Sequence, residues 1–517
     1  MKRLDALDYL KLNKWQKFLY NIQSFFLGIP GWFKTKFKNL FAKIKKFGIA
    51  IKDNFVDIGK TFKNGRWPTK VSFFIMGFGS LFYGQPLRGV LFLLMEIIFI
   101  AYMALPGVGG GYWLSKFGNL GEIGPHEVED PESGIPTVVY GDDSFRILLY
   151  GIITILFIIA FIYTWRLNVK QCRICDEYNI KGKKVKSTKD DLRSLVDDQF
   201  HKTLLALPTM GILIFTIIPI IFMILVAFTN YTSLHNGRTN DLFTWVGFDV
   251  FKRIFVAEGA SGGMAVTFGE VLLWTLIWAF FATFTNYFLG MFVAMLINKK
   301  GIRFKKWWRT VLVLSIAIPQ FISLLYVSNM FSYSGVINEW LLKLGIISER
   351  IHFMDTSANP NLARTMIILI NIWIGIPYLM LITTGILMNI PQDLYESAKI
   401  DGANGWQQYT KITLPYMLFV TGPYLLTSFT SNLNNFNVIY LLSTGYPLMP
   451  NPVPGTGEVG YTDILITWLF KMTAEAPGEA TYNLASVIGI MIFIVVSVIS
   501  LIVYNLLPSM RNEEDFS

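Results

Sequence analysis

Charge is scarce in this chain. Only 15% of its 517 residues are Asp, Glu, Lys or Arg, against roughly 25% in a typical soluble protein. Cysteine is rarer still. Cys172 and Cys175 stand alone, which excludes a disulfide framework. Their spacing offers only half of a zinc site's ligands, and no histidine lies nearby to complete it. The sequence has no Gly-x-x-x-x-Gly-Lys-Ser/Thr loop, so it cannot bind ATP in the P-loop manner. It also lacks His-Glu-x-x-His and Gly-x-Ser-x-Gly patterns. No catalytic site, metal site or resident cofactor is therefore expected.

Apolar surface is abundant. Hydrophobic residues make up 53% of the chain and aromatics 15%, with 43 Phe, 23 Tyr and 14 Trp. The mean hydropathy is +0.46. A water-facing fold cannot hide that much apolar surface, so the class is an all-α polytopic membrane protein. Basic residues number 45 and acidic residues 35. Residues 1–70 alone hold 16 basic and four acidic groups, so the rest of the chain is slightly acidic. An excess confined to one end argues for a membrane-facing terminus rather than nucleic-acid binding. Those 70 residues contain no uninterrupted apolar core of the signal-peptide kind.

Crossing about 30 Å of hydrocarbon takes about 20 apolar residues. Eight stretches qualify: 86–104, 145–165, 203–229, 271–297, 307–331, 365–389, 415–444 and 482–507. The glycine-broken segment 71–84 is expected at the interface, leading into the first span. Loop charges orient the chain. Segment 105–144 carries seven acids against Lys116, whereas 166–202 has ten basic and six acidic residues. The loop with Lys299, Lys300, Arg303, Lys305, Lys306 and Arg309 has no acid at all. Eight spans then put the basic loops and both termini in the cytoplasm. The chain is divided accordingly into a basic N-terminal region (1–70), two additional spans (71–200) and a six-helix core (201–517).

Near the N-terminus, Phe33, Phe37, Leu40, Ile44, Phe47 and Ile51 step by three and four, with lysines between them. That pattern predicts an interfacial amphipathic helix facing anionic lipid. A calmodulin-like or nucleic-acid role is the sharper alternative. Glu96 lies inside the first span and is expected to hydrogen-bond another helix in its protonated form.

A polar residue within a span is costly unless it faces a cavity or a partner. Span 7 concentrates Ser428, Thr430, Ser431, Asn432, Asn434, Asn435 and Asn437. Span 6 adds Asn371, Trp373 and Tyr378 around Gly375-Ile376-Pro377, where an interrupted helix is expected. Ile412–Gly457 and Thr365–Gln392 contain no ionisable Asp, Glu, Lys or Arg. Neutral amides and hydroxyls with nearby rings suit a neutral, hydroxyl-rich solute. The plainer reading is that the asparagines bond one helix to another.

Between spans 6 and 7 the segment Ile390–Pro415 reads IPQDLYESAKIDGANGWQQYTKITLP. Pro391 and Asp393 are expected to open a short helix, Leu394, Ala398 and Ile400 to give it an apolar side, Gly402 to turn the backbone, and Pro415 to start the next span. This loop resembles the EAA motif (E-A-A-x-x-D-G-A) of ABC importer permeases, with Glu396, Ser397, Ala398, Asp401, Gly402 and Ala403 in the motif positions. Ser397 replaces an Ala, and Tyr409 the usual Phe. The resemblance implies a type I ABC importer transmembrane fold, with this helix docking on an ATPase subunit.

From about residue 203 onward the chain is similar to the larger permease of maltose/maltodextrin importers. Ala363-Arg364-Thr365-Met366, Gly375-Ile376-Pro377-Tyr378, Asn434-Asn435-Phe436 and Gly460-Tyr461-Thr462-Asp463 carry the similarity. It implies an oligosaccharide permease, for maltodextrin-like α-glucans first of all, in a bacterial plasma membrane. The implied partners are a second, smaller permease, an ABC ATPase dimer that binds the ATP and Mg, and an extracellular solute-binding protein. Sugar-contacting positions carry over to Asn371, Ile374, Gly375, Tyr378, Ser428, Asn432 and Asn435. Gln320, Ile316 and Ser431 stand where the maltose permease has Ser, Tyr and Phe, so the sugar-facing surface differs at all three positions and has lost two rings, at Ile316 and Ser431. The outer loop 230–270 lacks the large external domain of the enterobacterial member. A self-contained secondary carrier for a neutral solute is the alternative, and the missing charges in spans 6 and 7 argue against it.

Overall fold

The computed structural model describes residues 38, 41–43, 45–46, 48–124, 126–129, 136–139, 141–185, 187–235, 242–255, 262–299, 301–450, 457–475 and 480–506. Its spans are α1 (Pro86–Ala104), α2 (Ser144–Ile180), α3 (Phe200–Val226), α4 (Gly262–Asn298), α5 (Lys305–Ile316) with α6 (Gln320–Met330), α7 (Pro360–Leu387), α9 (Leu414–Leu433) and α12 (Tyr482–Leu506). Shorter helices between them are α8 (Gln392–Ile400), α10 (Phe436–Ser443) and α11 (Leu465–Ala474). One antiparallel hairpin, β1 (His126–Glu129) with β2 (Pro136–Val139), pairs His126 with Val139. Among the described residues, seven helices are long and apolar enough to cross a membrane, or eight if the bent α5–α6 pair is one span. The protein is a multi-pass membrane protein with an all-α membrane part.

Three span readings change in detail. Span 5 is not straight: α5 and α6 meet at 88°. Pro319 sits at the N-cap of α6, where it offers no N–H and disfavours helix in the residue before it. Span 6 is not interrupted, because α7 runs unbroken through Gly375 and Pro377. Span 7 runs from Gly405 to Leu433, entering α9 through a π-helical turn at Tyr409–Thr413, so Pro415 lies inside it. It ends at Leu433, eleven residues before 444, because the Asn435 side chain accepts from Val438 N (3.5 Å) and starts α10 as a separate helix.

The chain forms two compact units, Met1–Leu114 with Ile153–Ile212, and Ser115–Ile152 with Leu213–Ser517. In the first, Asp57 holds Arg166 (2.6 Å) and Arg173. Burial works to raise the Asp57 carboxyl, but the two guanidiniums hold it below its ordinary value. Glu96 accepts from the backbone N of Met76 (2.8 Å), which lies in a turn. Its partner is therefore a peptide N–H in the turn before Phe78, not a side chain of another helix. Cys172 and Cys175 are free and buried, against Asn168 and Gln85. Of the amphipathic pattern, only Ile51 falls on described residues, and it is exposed.

The second unit has its core where α4 lies along α7. Trp274, Trp278, Ala282, Ile367 and Ile370 are buried there with Val438 and Ile439 of α10. Each of the two helices supplies a glycine to the crossing. A Cβ on Gly290 would stand 2.6 Å from Leu379 Cβ, and one on Gly375 2.5 Å from Asn286 Nδ2. Small residues at such a crossing let backbones approach without steric cost. Before α11, the buried Asp463 pairs with Lys471 (2.8 Å) and accepts from Gly460 N (2.7 Å) and Thr467 Oγ1 (2.9 Å). Burial pushes the Asp463 carboxyl up, against the pull of Lys471.

Candidate functional site

The bend, the close crossing and α9 together enclose a cavity of about 350 Å³. From α4 come Ala282 and Asn286, and from the bend Ser315, Ile316, Ile318, Pro319, Gln320 and Ser323. Helix α7 contributes Asn371, Ile374, Gly375, Tyr378 and Leu379, and α9 Tyr424, Ser428 and Asn432, with Asn435 just beyond it. Among the described residues, none that lines it carries a charge. Spacing explains the selection: residues 371, 374, 375 and 378 share one helix face, as do 424, 428 and 432.

Of the residues expected to contact solute, Asn371, Ile374, Gly375, Tyr378, Gln320, Ser428, Asn432 and Asn435 line this cavity. Ser431 does not. Its side chain is exposed and points off the lining face. The polar run in span 7 is thus split by helical geometry. Thr430 meets Ser500 Oγ (3.2 Å), and Asn434 and Asn437 are exposed. Trp373 is 65% exposed and takes no part.

Helix-bonding asparagines and open asparagines coexist here. Asn432 Nδ2 donates to Thr283 Oγ1 (3.0 Å), Asn435 Nδ2 donates to Asn432 Oδ1 (3.2 Å), and the Asn432 carbonyl accepts from Trp278 Nε1 (3.1 Å). These bonds hold the end of α9 against α4. Two amide atoms are different. Asn286 Oδ1 and Asn371 Nδ2 are enclosed and have no hydrogen-bond partner among the described residues. A buried polar group left so costs about 1–3 kcal/mol, which argues for a polar occupant. The pattern reading missed Asn286, Ser315, Ser323 and Tyr424. For Asn286 the signal was a single amide in an apolar run, Phe284–Gly290.

The loop between α7 and α9 forms a second site. Pro391 caps α8, Asp401 ends it, and Gly402 turns at φ +79°, a backbone conformation that suits glycine. Asn404 then caps the next turn with a reciprocal bond to Gln407. Glu396, Ser397, Asp401 and Gly402 are exposed, while Ala398 and Ala403 are half-buried. Tyr395 OH meets Thr413 Oγ1 (2.8 Å) and ties α8 to the base of the span. That contact, rather than Leu394 or Ile400, joins α8 to the protein. Ile400 is 87% exposed and Leu394 49%, so the apolar side faces outward, available to a partner.

Comparison with known proteins agrees with this arrangement. Residues 286–512 match the family described as "Binding-protein-dependent transport system inner membrane component". The chain is 31% identical over 442 residues to the galactooligosaccharides transport system permease protein GanP of Bacillus subtilis (strain 168), covering 85% of this chain and 97% of that one. It is 32% identical over 450 residues to the maltodextrin transport system permease protein MalC of Streptococcus pneumoniae (serotype 4, strain ATCC BAA-334 / TIGR4), covering 85% and 95%. A solved bacterial ABC transporter involved in alginate import aligns over 62% of this chain and 99% of its own, at 24% identity and a TM-score of 0.48. Coverage of nearly the whole of two relatives, with the EAA-type loop and the span arrangement, decides the family: the chain belongs to the binding-protein-dependent transport system inner membrane components, and is an ABC importer permease resembling the maltose permease.

Proposed function

We propose that this chain is the larger of two permease subunits in an importer of neutral oligosaccharides, with maltodextrin-like α-glucans as the leading substrate class. The observation that carries the reading is the lining of the cavity: amides, hydroxyls and two tyrosines, without one charged side chain among the described residues. Amides exchange hydrogen bonds with sugar hydroxyls, and ring faces cover a pyranose's apolar side. A volume near 350 Å³ falls in the range of about 300–1,000 Å³ usual for small-molecule sites. The relatives named for galactooligosaccharides and maltodextrin support the same substrate class.

Energy would come from ATP, with Mg, on a separate ATPase dimer that receives α8 and its exposed Glu396–Ala403 segment. Closure of that dimer would move α8, and Tyr395 would pass the motion to the base of α9. An extracellular solute-binding protein would deliver the sugar, the basic loops and both termini would lie in the cytoplasm, and the lysine-rich N-terminus would meet anionic lipid. Alternating access at a midplane site is the mechanism this requires.

The test is purification of the tagged protein from its native membranes in mild detergent, followed by identification of what accompanies it. An ATPase and a second permease are expected, together with sugar uptake that stops on ATP depletion while the ion gradient is held. Gly402→Pro, which cannot adopt a positive φ, should cut uptake by more than about tenfold without changing the amount of folded permease. A lone chain whose uptake follows the ion gradient would mean a secondary carrier.

A further inference from the structure

We infer that Asn286 is a further specificity-determining residue, whose Oδ1 accepts from the same sugar hydroxyl to which Asn371 Nδ2 donates. This rests on the oligosaccharide reading above and deepens it. The family resemblance assigns no sugar contact to position 286, and the argument comes from the geometry.

Asn286 is 94% buried by side-chain environment, being only 6% exposed, and so is Asn371. The orientation of the Asn286 amide is fixed from one side: Nδ2 donates to the Ala282 carbonyl at 2.9 Å. A flipped amide would set oxygen against that carbonyl oxygen, so the oxygen is the end left free. Gly375 makes the space, because a Cβ there would stand 2.5 Å from Asn286 Nδ2 and 3.0 Å from Oδ1. Across the crossing, one turn before Gly375 on α7, Asn371 Nδ2 is enclosed and unpartnered in its turn. Both residues line the cavity.

The site therefore offers one open acceptor and one open donor. A hydroxyl satisfies both at once, since it donates one hydrogen and accepts on its lone pairs. A carboxylate can only accept, and would face the Asn286 oxygen without a proton to give. An ammonium can only donate, and would leave Asn371 unmet. The pair thus selects a neutral hydroxyl over a charged substituent at one defined place on the sugar. Selection of this kind works through the rejected ligand, which leaves a buried polar group unpaired.

The experiment uses the complete complex in lipid nanodiscs, with maltotetraose and its series of monodeoxy analogues as probes. One analogue should bind the native complex about tenfold more weakly than maltotetraose, the loss expected when a buried polar group loses its partner. Asn286→Leu, close to asparagine in shape, should weaken maltotetraose by about the same factor and bind that analogue and the parent equally. Subunit assembly, read from the partner chains that co-purify with the variant, should be unchanged. If Asn286→Leu does not assemble, Asn286→Ala carries the same expectations. Unaltered affinity in the variant, or an unaltered preference between parent and analogue, means the amide meets only water or protein, and the inference fails alone. If the native complex binds neither maltotetraose nor a galactooligosaccharide, the oligosaccharide reading itself fails.

Discussion

Two of the buried polar clusters in the second unit handle their hydrogen bonds in opposite ways. Around Asp463 each carboxylate oxygen is met: Oδ1 by Thr467, Oδ2 by Lys471 and Gly460 N. Backbone is shaped around the cluster, because a Cβ on Gly445 would run into both Lys471 Nζ and the Asp463 carboxylate. In the cavity the amides of Asn286 and Asn371 each keep an enclosed atom open. A closed cluster spends its polarity on holding the chain, whereas an open one keeps polarity for a molecule that comes and goes. Charge follows the same division, with an ion pair in the closed cluster and none in the open one.

The sharpest way to break that comparison is to open the closed cluster. Lys471→Met leaves Asp463 buried without its cation, a change that costs about 3–5 kcal/mol in comparable sites. The expected result is a large fall in the apparent melting temperature of the purified complex and little folded protein at the membrane. The loss should depend on pH with a definite sign. Without Lys471 the Asp463 carboxyl is raised further, so the folded variant binds a proton that the unfolded chain releases. Its stability is then greatest at acid pH and falls as pH rises through the folded value. Adding Asp463→Asn to Lys471→Met should recover most of the loss, since two neutral groups replace an unpaired charge.

A smaller structural effect with a larger functional one is expected at Gly375→Ala. The new methyl must displace the Asn286 amide, which is held to Ala282. Overpacking of this kind costs roughly 1–3 kcal/mol, and the low end applies because a side-chain end, not backbone, gives way. Sugar affinity should fall about tenfold while the complex still assembles. Equal losses in melting temperature and affinity would place Gly375 in the packing alone.

Much of this arrangement was legible in the sequence, and the failures have physical causes. Hydropathy located each span, since covering hydrocarbon is a property of composition over about 20 residues. The EAA-type loop was legible because Pro391 and Gly402 carry their backbone meaning locally. The 88° bend was not: Pro319 sits in an apolar run that reads as one helix, and only the packing around it decides between a kink and a break. Pro377 shows the reverse, a proline carried through an unbroken α7. Asn286 escaped because a lone amide in a span has no neighbour in sequence to mark it, whereas its partner surface, Gly375, lies 89 positions away. Density misled in span 7, where seven polar positions were read as one wall, but a helix turns through 100° per residue and lines a cavity with only some of them.

The last prediction uses that turning. Ser428 and Ser431 are three residues apart on one helix and carry the same hydroxyl, yet only Ser428 lines the cavity. Ser431 is exposed, and among the described residues its hydroxyl has no hydrogen-bond partner on a neighbouring helix. Ser431→Ala should therefore change stability by less than about 0.5 kcal/mol and leave uptake as it was. Ser428→Ala should keep the same stability but raise the sugar concentration needed for half-maximal uptake severalfold, because one hydroxyl facing the solute is gone. The ratio of the two effects measures the helix rotation directly. If Ser431→Ala impairs uptake as much as Ser428→Ala, α9 presents a different face to the sugar during transport than the one now lining the cavity.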